Sequence, residues 1–156
     1  MKTEKTKKDK SIRPHLTIVA VFLVIVAIII SIPLLQHRKF TKFVSDFSTV
    51  TTRTETKNVV YCNYAGEDIL LDAEQKMDIY RKLVFSEMKR RAVPTDEMAA
   101  EGMAVTYGIL GTLILAPAEY KGEEALYVEY HSENMDYTYL APHLSYSTFE
   151  NIIKKL

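Results

Sequence analysis

From Leu16 to Leu35 the chain carries no charge and is built almost wholly of Ile, Val, Leu, Ala and Phe. At 1.5 Å per residue, a helix of about 20 such residues matches a hydrocarbon core of about 30 Å, which predicts a transmembrane helix over 16–35. The many β-branched residues would disfavour a helix in water. In lipid the backbone must satisfy its own hydrogen bonds, and helix is the outcome. Pro33 falls in the last turn, and His37, Arg38 and Lys39 mark the aqueous boundary. The period then changes: Phe40, Phe43, Val44, Phe47 and Val50 recur at spacings of three and four, so the helix is expected to run on as a short amphipathic stalk. Its stripe would lie either on the bilayer surface or on a folded domain. The Thr-rich run from Thr49 to Lys57 reads as a linker, giving a stalk and linker over 36–57.

Beyond residue 58 the pattern is mixed. Val59, Val60, Tyr61 and Tyr64 supply β-formers, Ala65-Gly66-Glu67 a turn, and Ile69 to Leu71 a short second strand, which together predict a hairpin. Asp72 and Gln75 have capping-box spacing, and Ala73, Met77, Tyr80, Val84 and Met88 then recur at helical intervals; Lys89, Arg90, Arg91 and Pro94 end that helix. A second short helix is expected from Thr95 to Gly102. Met103 to Ala118 is uncharged but short for a membrane span and broken by Gly108, Gly111 and Pro117. Its alternation through Met103, Val105, Tyr107, Ile109, Leu113 and Leu115 predicts one buried strand. Lys121-Gly122 marks a turn, Ala125 to Tyr130 a strand, Ser132 to Met135 a turn and Tyr137 to Leu140 a further strand. Ser147 and Glu150 have capping-box spacing before a final helix with Phe149, Ile152, Ile153 and Leu156 on one face. This order predicts the α+β class: a transmembrane helix, then an antiparallel sheet packed with one or two helices, with 58–156 as an extracytoplasmic domain.

Charge decides the orientation. The net charge is zero, yet residues 1–15 hold six cations against two carboxylates, and only Arg38, Lys39 and Lys42 follow the apolar run closely. That bias keeps the basic tail in the cytoplasm and sends the rest outside. A cleaved secretory signal is the rival, but the apolar run is long for one and lacks an A-x-A-like site between Ser31 and Gln36. A lipoprotein is disfavoured, because the single cysteine, Cys62, lies far beyond the run. The mildly acidic remainder has no basic face, which excludes a nucleic-acid-binding module. The lipid bilayer is the first expected partner.

Candidate chemistry is sparse. Cys62 has no second cysteine for an intramolecular disulfide, and its place in an apolar strand favours a buried structural thiol. His37, His131 and His143 show no metal-ligand spacing, so neither metal nor cofactor is expected. His131, Glu133 and Asp136 fall in one predicted hairpin, where they either meet around a proton or cation or form a solvated polar turn. Tyrosines crowd the last third of the chain. In strands they usually pack as cross-strand pairs, but tyrosine also serves recognition, combining apolar area with a polar tip. Tyr127, Glu129, His131, Tyr137 and Tyr139 are therefore the candidate binding residues, with an outward row of tyrosines beside carboxylates as the surface.

A short basic tail, one apolar span and one small exported domain resemble the layout of single-pass bacterial membrane proteins whose extracytoplasmic domain has no assigned activity. The resemblance is one of arrangement, spans the whole chain and implies a plasma-membrane location without naming a reaction. The expected role is an accessory or binding module for another membrane or envelope protein. The enzymatic alternative is a small hydrolase or thiol-dependent activity built on His131, Glu133 or Cys62, which requires those side chains to share one concave pocket.

Overall fold

The structure, a computed structural model, describes residues 12–57, 59–85 and 102–154. Most of the basic tail, the helix expected from Thr95 onward apart from Gly102, and the Lys89 to Pro94 helix end lie outside the described residues. Two compact units divide the chain at His37 and Arg38.

The first helix, α1, runs from Ile12 to Lys57 without interruption, with Pro33 inside it. From Thr17 to Leu35 its side chains are exposed apart from Val26, which is half-buried. Ile18, Phe22, Leu23, Ile29 and Leu35 all stand more than half exposed. Ser31 turns its hydroxyl back onto the Ala27 carbonyl at 2.6 Å, satisfying itself within the helix. Among the described residues this is the one helix long and apolar enough to cross a bilayer, with a mean hydropathy of 3.3 in its most apolar 18 residues. A single N-terminal helix of this kind is compatible with a membrane span or a signal anchor.

From Arg38 onward the same helix changes role. Phe40, Phe43, Phe47 and Val50 are buried, so the stripe lies on the domain and not on lipid. The stretch read as a linker is helical through Lys57, because Val50, Thr51 and Thr54 are buried along it, and Thr54 also donates to the carbonyls of Val50 and Thr51. Packing outweighs the weak helix propensity of the threonines there.

Six antiparallel strands follow among the described residues: β1 (Val60–Tyr64), β2 (Glu67–Leu70), β3 (Met103–Tyr107), β4 (Gly111–Tyr120), β5 (Glu123–Ser132) and β6 (Asp136–Pro142), in the order β2-β1-β3-β4-β5-β6. The helix α2 (Ala73–Phe85) connects β2 toward β3, and α3 (Tyr146–Lys154) closes the domain. The α+β class is as expected. The hairpins at Ala65-Gly66 and Lys121-Gly122 place both turn residues at positive φ, 52° and 83° in the first and 55° and 80° in the second. That two-residue geometry matches the twist of paired strands, and glycine at the second position adopts it without Cβ strain.

The stretch from Met103 to Ala118 is two strands, not one. Leu110 donates to the Tyr107 carbonyl at 3.1 Å, and Met103 pairs with Leu115. A three-residue connection preserves parity, so Met103, Val105, Tyr107, Leu113 and Leu115 all face the same core and the alternation runs unbroken through the turn. Ile109 shares that parity but sits at the tip, 95% exposed.

One core lies between this face and the helices. Phe43 and Phe47 stack at 5.4 Å; Phe43 meets Tyr130 edge-on at 5.2 Å, and Phe47 meets Tyr107 at 5.5 Å and 90°. Ile79 and Leu83 of α2 and Phe149 and Ile153 of α3 join the same cluster. The buried face of α2 is Gln75, Lys76, Ile79 and Leu83, about one position away from the stripe expected through Ala73 and Met77. Gln75 explains the shift: it completes the capping box with Asp72 in both directions and donates from Nε2 to the carbonyls of Ile152 and Ile153. The cap of α3 is Ser145 in place of Ser147, since Ser145 Oγ accepts from the Ser147 amide and its carbonyl from the Thr148 amide. Glu150 is used elsewhere, accepting from the Tyr64 hydroxyl.

Candidate functional site

Strand β5 is where the chemistry gathers, because its two faces differ. Leu126, Val128 and Tyr130 point into the main core, and the residues between them, Tyr127, Glu129 and His131, belong to the opposite face. Each of these has a partner in register on β6: Tyr127 opposite Leu140, Glu129 opposite Thr138, His131 opposite Asp136.

On that opposite face His131 is held from both sides. Its Nδ1 lies 2.7 Å from Asp136 Oδ1 and its Nε2 lies 2.6 Å from Glu129 Oε1. Tyr127 donates its hydroxyl to the other oxygen of Glu129 at 2.8 Å. The hydrogen bond to Asp136, opposed by partial burial and reinforced by Glu129, raises the His131 pKa above its ordinary value. The imidazole is about half exposed, Asp136 80% exposed and Glu129 21%. With both ring nitrogens engaged, the imidazole offers no free lone pair to a substrate.

On the core face a second polar cluster joins α1 to the same hairpin. Asp46 accepts from Tyr130 Oη at 2.8 Å, Ser132 Oγ at 2.6 Å and Asn134 Nδ2 at 2.7 Å. Burial works against its charge, but the bonds from Ser132, Tyr130 and Asn134, helped by the Arg53 charge, outweigh it and hold the carboxyl below its ordinary range. Burial and the bond to Asp46 raise Tyr130, keeping the phenol neutral. An open cleft of about 470 Å³ beside Asp46 is lined by Lys42, Arg53, Glu133 and Asn134, a balanced set of charges. Sequence reading missed Asp46. Its one signal is that it is the single carboxylate in the helical stretch from Gln36 to Thr54, set between Phe43 and Phe47.

The candidate binding residues are thus divided. Glu129 and His131 come together at the surface with Tyr127 beside them, while Tyr137 and Tyr139 point into the core, where Phe40 meets Tyr139 edge-on at 5.9 Å and Phe43 lies 5.4 Å from Tyr137. The tyrosines do not form an outward row: Tyr127, Tyr130, Tyr137 and Tyr139 are all buried. Cross-strand packing claims them, as it commonly does for aromatic residues in strands.

The thiol lies apart. Cys62 is buried in β1, paired with Ile69 and Val105, and burial with the nearby Asp68 charge pushes its pKa up to about 11. It faces the core, on the other side of the sheet from His131 and three strands away, roughly 14 Å by strand spacing. Cys62 and His131 therefore share no pocket. At the far end of the sheet Ser145 donates to Glu124, and His143 Nδ1 lies 3.9 Å from Glu123. Among the described residues no group of three His, Cys, Asp or Glu side chains is arranged to hold a metal ion. Compared with known protein families, curated proteins and solved structures, the chain matches none.

Proposed function

We propose that this is a single-pass plasma-membrane protein, N-terminus in the cytoplasm, whose α+β domain works at the outer face as a non-enzymatic accessory or binding module for another membrane or envelope protein. One observation carries the reading: none of the most apolar window of α1 is buried by the rest of the protein. Each large apolar side chain left in water forgoes about 1.5–3 kcal/mol of burial, so a run of them calls for lipid as its solvent. The cation bias of the tail supports the orientation. A binding role fits a domain whose His131 is occupied on both sides and whose thiol is buried and protonated. In this reading Glu129 and His131 form the accessible part of the surface, with Tyr127, Tyr137 and Tyr139 as the packing that holds it.

Mild crosslinking in intact cells, followed by detergent solubilisation, is the test. A discrete crosslinked neighbour is expected, with the C-terminus open to external protease. A protein that elutes alone without any crosslinked species, or that is released on cell breakage without detergent, sinks the proposal.

A further inference from the structure

The turn between β5 and β6 is tied down from both faces of the sheet, and the two ties differ in how they depend on protons. On the core face Ser132 and Asn134 donate to Asp46. On the other face His131, the last residue but one of β5, bridges Glu129 and Asp136, the first residue of β6. A neutral imidazole carries one N–H and one bare nitrogen, whereas a carboxylate only accepts. With carboxylate oxygens at 2.6 and 2.7 Å from the two ring nitrogens, only the imidazolium satisfies both contacts.

We infer that His131 is a proton-operated latch on the β5–β6 turn: as imidazolium it fastens Asp136 to Glu129 across the hairpin, and on losing a proton it lets Asp136 go. Asp136 is the partner released, because it is 80% exposed and water replaces its bond, whereas Glu129 is 21% exposed and is also held by Tyr127. The surroundings are consistent with this assignment. The β4 residues opposite His131 and Glu129 are Thr112 and Ile114, both uncharged, and Thr138 faces Glu129 from β6. The charged groups facing the ring among the described residues are thus Glu129 and Asp136, with Glu133 in the turn itself. Asp46, its carboxyl held below the ordinary range, stays ionised when the latch opens and keeps Ser132 and Asn134 in place. The release is therefore confined to the outer half of the turn. It borders a depression of about 190 Å³ shared with the β3–β4 tip, lined by Ile109, Leu110, Thr112, His131 and Glu133. The latch is independent of the proposed membrane role and holds whatever the domain binds.

The direction follows from linkage. A histidine whose folded pKa exceeds its unfolded value of about 6.5 contributes its full stabilisation below that value and loses it as pH rises through the folded pKa. The test is ring-nitrogen NMR on the full chain in detergent micelles from acid to mildly alkaline pH, paired with hydrogen exchange at Asn134, Met135 and Tyr137 corrected for intrinsic rate. Both ring nitrogens of His131 are expected to be protonated in acid, with a midpoint above about 6.5. Protection at the Tyr137 amide, which lies in the next hydrogen-bonded pair of the hairpin opposite Tyr130, should fall about tenfold through that midpoint, the size of one charge-assisted hydrogen bond. His131→Gln should remove the pH dependence, and Asp46→Asn should weaken protection at Asn134 without flattening the profile at Tyr137. A midpoint at or below the ordinary histidine value, or an unchanged profile in His131→Gln, overturns the latch. The ring titration decides on the unmodified chain even where a variant folds poorly.

Discussion

Asp46 and Tyr107 pose opposite problems within one core. Asp46 gathers three donors onto a partly buried carboxylate, so Asp46→Ala leaves the Tyr130 hydroxyl without its acceptor and should cost about 1–3 kcal/mol in chemical denaturation of the full chain. Its pKa is depressed in the folded state, so its contribution is present above the unfolded value and is lost as pH falls through the folded one. The difference between the native chain and Asp46→Asn should therefore shrink in strong acid. Tyr107 is the reverse. Its hydroxyl is completely buried with no hydrogen-bond partner among the described residues, and burial raises its pKa. Tyr107→Phe removes an unsatisfied polar atom while keeping the ring against Phe47. It is expected to be neutral or to raise the thermal midpoint, and a clear loss of stability would show that the hydroxyl has a bonded partner. At this scale the sequence was only partly legible. The burial of Cys62 and the meeting of His131 with Asp136 could be read from strand position and hairpin spacing, but the second carboxylate on the ring is Glu129 and not the Glu133 of the expected trio. Asp46 could not, because its donors sit some 85 residues downstream, from Tyr130 to Asn134, and no local pattern records a contact at that separation.

Among the elements, those with a strong local signal formed where expected and the misread ones share a cause. The two glycine hairpins, the Asp72–Gln75 box and the final helix are encoded by residues adjacent in sequence. Two boundaries were hidden by periodicity that continued past a real break or change of partner. The β3–β4 turn kept the strand parity, and the stretch after Thr49 looked like a linker because threonine is a weak helix former until tertiary packing holds it. The buried stripe of α2 moved because Gln75 reaches across to the end of α3, a contact with no local trace. That contact is testable. Gln75→Glu keeps an acceptor for the Asp72 amide but sets a carboxylate against the Ile152 and Ile153 carbonyls, whereas Asp72→Ala removes the cap. Asp72→Ala should cost about 1 kcal/mol, and Gln75→Glu more, as measured by urea denaturation of each variant.

For the molecule as a whole, the reading of the α+β class and of one long apolar N-terminal helix carried through, and the compact unit that holds the sheet begins at Arg38. Phe40, Phe43, Phe47 and Val50 belong to the core, so a chain beginning at Arg38 should fold and one beginning at Asn58 should not, as circular dichroism and resistance to protease would show. Phe47→Ala, which empties a fully buried ring site, is expected to cost about 3–5 kcal/mol by the same denaturation measurement. The aromatic layer also sets the order of events during synthesis. Phe40 and Phe43, near the start of the domain, find Tyr137 and Tyr139 only on the final strand. Contacts so distant along the chain close late and slow the search for the native state. A polypeptide leaving the ribosome therefore carries Phe40 and Phe43 without their partners until β6 has emerged, and that interval is when it is most open to aggregation or to a chaperone.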